Sequence, residues 1–211
     1  MSDFDHEQGA ARETLCRLLA ACYYQPGPEF AEEKVFDTIL DTATRVHPDL
    51  VAPARRLGEA FAASDPQTLL IDYTRLFLGP VNALAKPYGS VWLTGESSLM
   101  QNSTMDVLGL YREGGFDISE DFRELPDHIA AELEFLYLLI FRENEAQRNA
   151  DLDALAATEA LRKRFLAGHL APWVDRFIAA VKDGAETDYY RALADLTQRF
   201  IAIEVHRALD S

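Results

Sequence analysis

Apolar positions along this chain recur at helical spacing. Leu15, Leu18, Leu19 and Cys22 fall at i, i+3, i+4 and i+7, one stripe of a helix predicted over 5–24, which Tyr23-Tyr24-Gln-Pro-Gly-Pro28 stops. A second helix is predicted over 29–46, with Phe30, Val35, Phe36, Ile39 and Leu40 inward, and His47-Pro48 breaks it. A third covers about 49–63. Ser64-Asp65-Pro66 then supplies a cap and a proline start for a fourth, which ends in Tyr73-Thr-Arg-Leu-Phe-Leu-Gly-Pro80. Residues 79–95 read as the longest irregular segment, and helix resumes at about 96–113. Gly114 opens a polar, acidic connector over 114–125. The next helix, 126–148, starts at Pro126 and Asp127, where a missing N–H costs nothing and negative charge suits the helix end. Its run from Leu133 to Phe141 is apolar except at Glu134, so it is predicted to be a central core helix; nine residues cannot span a bilayer, which takes about 20. Helix 151–167 follows. Gly168-His-Leu-Ala-Pro172 ends it and restarts the chain, Trp173, Phe177 and Val181 lie at i, i+4, i+8 on the next, and a last helix covers about 186–209. No strand alternation, hairpin signal or repeat is visible. The expected class is all-α, eight to ten helices in two parts, 1–113 and 126–211, joined by the 114–125 hinge.

Charge narrows the partners. The chain carries 35 Asp and Glu against 20 Lys and Arg, a net −15, which disfavours nucleic acid and anionic membrane and favours a basic partner. The two cysteines, Cys16 and Cys22, are six apart and face different sides of a helix, so they are expected to be reduced, buried hydrophobes. With an acidic polar N-terminus and no transmembrane stretch, a soluble cytoplasmic protein is expected.

Phosphate-binding, nucleophile-elbow and CxxC motifs are absent from the sequence, and no cofactor or metal is expected. His128 and Glu132 share a helix face at i, i+4, but a di-iron bundle needs Glu-x-x-His pairs from more than one helix, and none of the other four histidines offers a matching pair. A hydrolase using Asp127, His128 and Glu132, metal-dependent or acting on nucleotides, is the alternative reading. The 73–92 region is richer in signal. Tyr73, Leu76, Phe77, Pro87, Tyr88 and Trp92 are a large apolar payload beside irregular backbone, with Asp72, Glu96, Glu124 and Asp127 as nearby acids. These residues could simply plug one end of the core. An apolar groove rimmed by carboxylates would instead suit a peptide with a hydrophobic stretch and adjacent arginines.

Four blocks in order carry a resemblance: Tyr73-Thr-Arg-Leu-Phe-Leu-Gly-Pro80, Lys86-Pro-Tyr-Gly-Ser-Val-Trp92, Glu124-Leu-Pro-Asp-His128 with Glu132-Leu-Glu-Phe-Leu136, and His169-Leu-Ala-Pro-Trp173. Together they resemble the TorD/DmsD family of cytoplasmic chaperones for molybdoenzymes, to which the NarJ group is related. The resemblance implies an all-α fold, no enzymatic activity, and binding of the twin-arginine signal peptide of a molybdenum-cofactor reductase, delaying export until the cofactor is in place. It implies a monomer or a hinge-swapped dimer. The peptide-binding residues it implies are Tyr73, Leu76, Phe77, Pro87, Tyr88, Trp92, Pro126, Asp127 and His128, to which the acidic rim adds Glu124. Gly89-Ser-Val-Trp92 is closer to the DmsD branch and Glu132-Leu-Glu-Phe-Leu136 to TorD, so the client reductase stays open.

Overall fold

Several of the caps and proline starts read from the sequence do open helices. In the computed structural model, which describes residues 3–79, 83–94, 102–116 and 124–210, Asp65 accepts from the N–H groups of Gln67 and Thr68, Asp151 from Ala154, and His47 Nδ1 from Asp49. The described elements are α1 (Asp3–Ala21), α2 (Glu29–Glu32), α3 (Val35–Val46), α4 (Pro48–Ala63), α5 (Pro66–Tyr73), α6 (Gly89–Thr94), α7 (Asn102–Glu113), α8 (Ile129–Arg148), α9 (Leu152–Phe165), α10 (Ala171–Gly184) and α11 (Asp188–Asp210). The fold is all-α; its one extended pairing among the described residues is an isolated antiparallel bridge between Tyr88 and His128.

Helix α8 packs along α1 and α9, and α11 packs along α4 and α10. Side chains from both sides of the expected connector therefore share one core: Leu15, Cys16 and Leu19 of α1, Leu133, Leu136 and Ile140 of α8, and Trp173, Phe177 and Val181 of α10 lie in the same cluster. Both cysteines are buried, as expected, and Cys16 donates to the Leu133 carbonyl at 3.3 Å. Within α8, Tyr137, Leu138 and Phe141 stay partly exposed, so the helix is central without being enclosed on every side. Of the expected connector, residues 117–123 lie outside the described residues.

Several local expectations are corrected. The predicted 29–46 helix is broken by Lys34, whose φ of 51° is left-handed. Phe30 and Val35 are five positions apart, about 140° around an unbroken helix, and the break lets both turn inward. Two π-helical turns, Thr74–Leu78 and Leu166–Leu170, carry the chain without interruption from α5 and from α9 to α10. The predicted stop at Gly168 is thus absent. The wider turn makes room for Pro172, which cannot donate to the ladder. A short helix, α6, occupies part of the segment predicted to be irregular.

Four buried charges tie the bundle. Arg12 of α1 forks onto Glu204 of α11 with bonds of 2.9 and 2.7 Å, and Arg162 of α9 pairs with Glu143 of α8 while also donating to the Glu204 carbonyl at 3.2 Å. Asp72 of α5 is likewise structural rather than part of an acidic rim. It is buried and accepts from the backbone N–H groups of Glu186 and Thr187, fixing the bend that leads into α11.

Candidate functional site

The Tyr88–His128 bridge joins two of the sequence blocks. Ile129 N–H donates to the Pro87 carbonyl and Gly89 N–H to the Asp127 carbonyl, both at 2.8 Å. This pairing pulls residues 126–128 out of the helix, so α8 begins at Ile129 rather than at Pro126. Asp127 does complement a helix N-terminus, but that of α6: it is wholly buried, and its Oδ2 accepts from Ser90 N–H at 2.9 Å. Pro126 is half-buried, and its carbonyl takes the Tyr111 hydroxyl at 2.7 Å. His128 is the N-cap of α8, its Nδ1 accepting from Ala130 N–H at 3.1 Å. Its ring is stacked on Tyr24 at 6.1 Å and meets Tyr88 edge-on at 5.3 Å. Burial holds its pKa down at about 4, against the pull of Glu124 and Asp127.

Beneath the bridge lies a polar support. Glu132, fully buried, accepts from His169 Nε2 at 3.0 Å and from Trp173 Nε1 at 3.3 Å. Burial opposes the charged form of His169, but the hydrogen bond and charge of Glu132 outweigh it and raise the pKa. Gly89 rests on this support, and a Cβ there would lie 2.8 Å from Trp173 Nε1 and 3.2 Å from Glu132 Oε1. Trp92, half-buried, donates to the Lys86 carbonyl at 2.7 Å and meets Phe177 edge-on, while Arg176 donates to its carbonyl at 2.8 Å. Pro87 is buried at the bridge.

The expected groove residues divide. Tyr88, Trp92, Glu124 and Pro126 are half-buried around the bridge, and the buried Asp127 and His128 form its backbone. Tyr73, Leu76 and Phe77 lie in the core instead, Phe77 against Tyr23, Tyr73 and Phe177. They are enclosed and present no open face. Glu96 lies outside the described residues.

Two residues absent from the expected set stand beside His128. Tyr24 donates its hydroxyl to Glu134 Oε1 at 3.0 Å, just as Tyr88 donates to Glu124 Oε2 at 2.9 Å. Burial raises the pKa of Glu134, with the Tyr24 bond opposing it. The signal was present in the sequence: Glu134 is the one charge in an otherwise apolar run. Asp127, His128 and Glu132, the groups of the hydrolase reading, each have a defined partner in Ser90, in Ala130, and in His169 with Trp173. Concavities of about 470 and 520 Å³ lie elsewhere, around Phe61.

Comparison with known proteins agrees with this architecture. Residues 44–179 match the family described as nitrate reductase delta subunit. The Tat proofreading chaperone DmsD of Salmonella typhi is 29% identical over 187 residues, which cover 88% of this chain and 85% of that protein. The chaperone protein TorD of Shewanella loihica is 28% identical over 179 residues, covering 82% and 78%. A crystal structure described as that of a candidate redox enzyme maturation protein from Archaeoglobus fulgidus superposes with a TM-score of 0.54 at 20% identity, covering 89% of this chain and 93% of that one, which supports the fold. The match to the family model spans more than half of the 211 residues, so the chain belongs to the nitrate reductase delta subunit family, in company with the TorD and DmsD chaperones.

Proposed function

We propose that this protein is a cytoplasmic maturation chaperone that binds the twin-arginine signal peptide of a molybdenum-cofactor reductase and delays its export until the cofactor is inserted. The relatives' names as Tat proofreading and TorD chaperones support the class. The observation that carries the peptide reading is the 88–128 bridge, which sets the half-buried Tyr88 against the Glu124 carboxylate, with the half-buried Trp92 four residues further on. The peptide's apolar stretch packs on the aromatic side, its arginines meet the carboxylates, and the net charge of −15 speeds encounter with a basic segment and makes it salt-sensitive. Calorimetry with leader peptides tests this. Tyr88→Ala and Trp92→Ala are expected to weaken binding by about 1–3 kcal/mol, the scale of an aromatic interface anchor. Variants that fold normally and bind unchanged would refute the site.

A further inference from the structure

Three shielded carboxylates in this fold hold an arginine. Glu204 holds Arg12, Glu143 holds Arg162, and Asp72 takes Arg75 along with its backbone donors. Glu124 and Glu134 depart from that pattern. Each is half-buried, each accepts one phenol, from Tyr88 and Tyr24 respectively, and neither makes an ion pair among the described residues. Between the two tyrosines lies the His128 ring, only 3% exposed. Its Nδ1 is an acceptor, so the proton sits on Nε2, and that N–H has no acceptor among the described residues. The surroundings of His128 thus offer two oriented carboxylates, two aromatic rings and one donor with no acceptor among the described residues.

A guanidinium suits each tyrosine–glutamate pair, since it forks onto the carboxylate and stacks flat on the ring, where an ammonium is a point charge with neither the planar fork nor the planar face. The donor on His128 suits a backbone carbonyl. In an extended peptide, consecutive side chains point to opposite sides. A chain laid over the His128 ring therefore sends adjacent arginines one to each side. Resting on the signal-peptide reading above, we infer that Tyr88–Glu124 and Tyr24–Glu134 are two separate guanidinium seats flanking His128, and that they take the two consecutive arginines of the peptide. Asp127 takes neither, because it is enclosed and bound to Ser90 N–H.

A double-mutant cycle by calorimetry tests the pairing. The probes are a leader peptide with two adjacent arginines before its apolar stretch, and two versions with the first or the second arginine replaced by glutamine. Wild type is expected to bind the double-arginine peptide about ten-fold tighter than either single-arginine version, the scale of one charged hydrogen-bonded pair. Glu134→Gln should lose about ten-fold on the double-arginine peptide and become indifferent to one of the arginines. Glu124→Gln should become indifferent to the other. Tyr24→Phe, which keeps the ring and the carboxylate, should weaken the contribution of the same arginine as Glu134→Gln, and it carries the test if that variant does not fold. Tight peptide binding unaffected by these changes, or both glutamine variants losing dependence on the same arginine, would overturn the two seats and leave the signal-peptide reading standing. Failure of the wild type to bind any of the three peptides would overturn both.

Discussion

The N-cap of α8 is a histidine, and this makes the candidate site acid-labile in a calculable way. His128 Nδ1 must be unprotonated to accept the Ala130 N–H at 3.1 Å, and its ring is closed in by Tyr24 and Tyr88. In the unfolded chain its pKa is 6.5 and in the fold about 4, so between these values the unfolded state binds more protons and stability falls as pH falls. Integrating that difference gives a loss of about 2 kcal/mol between pH 7 and pH 5, approaching about 3 kcal/mol by pH 4. His128→Asn isolates the effect. Asparagine is a good N-cap acceptor that does not titrate, so other groups cancel in the comparison. Urea unfolding at pH 7, 6 and 5, followed by circular dichroism, should show wild type losing about 2 kcal/mol more than the variant across this range, with equal denaturant slopes. The His128 ring signal in NMR should titrate near pH 4. Parallel pH dependence for the two proteins, or a ring that titrates near 6.5, would refute the argument.

Other outcomes follow from the same structure. His169 acts in the opposite sense: its raised pKa gives stability that is complete below 6.5 and lost as pH rises above it, so His169→Gln should flatten the alkaline side of the unfolding profile. Gly89→Ala should force α6 off Trp173 and Glu132, at a cost of about 1–3 kcal/mol in unfolding free energy, read by urea denaturation. Glu204→Gln leaves Arg12 without its forked partner and puts Arg162 at risk; urea denaturation should register a loss of about 3–5 kcal/mol.

The helices were legible because each rests on near-neighbour periodicity. Trp173, Phe177 and Val181 are read as one face from spacing alone, and all three are buried. The Asp65-Pro66 start is read from a cap whose acceptor and donors lie within three residues. What was illegible depends on distant partners. Pro126-Asp127 has every local mark of a first helical turn, yet pairing with residues 87–89 takes that backbone out of the helix, and no local preference registers a partner about 40 positions away. Tyr73, Leu76 and Phe77 read as groove residues from their apolar bulk beside irregular backbone and from the family resemblance, while the structure buries all three. Tyr73 and Phe77 are packed by Tyr23, Phe177 and Tyr190, which come from the turn after α1 and from α10 and α11.

Glu132 and Glu134 show how one helix supports a site and also lines it. Two positions on an α-helix are about 200° apart, so one carboxylate must point nearly opposite to the other. Glu132 points in, where His169 and Trp173 hold it and Gly89 rests against them; Glu134 points out, toward Tyr24. The i, i+4 relation that suggested a metal or catalytic pair, His128 with Glu132, places both on the inward side, where their polar atoms serve the α8 cap and the α6 seat. The outward relation, Tyr24 with Glu134 and Tyr88 with Glu124, spans 110 and 36 positions of sequence and has no spacing signature. Residues with recognisable spacing therefore hold the site in shape. The residues that meet solvent around His128, and hence whatever binds there, are brought together only by the fold.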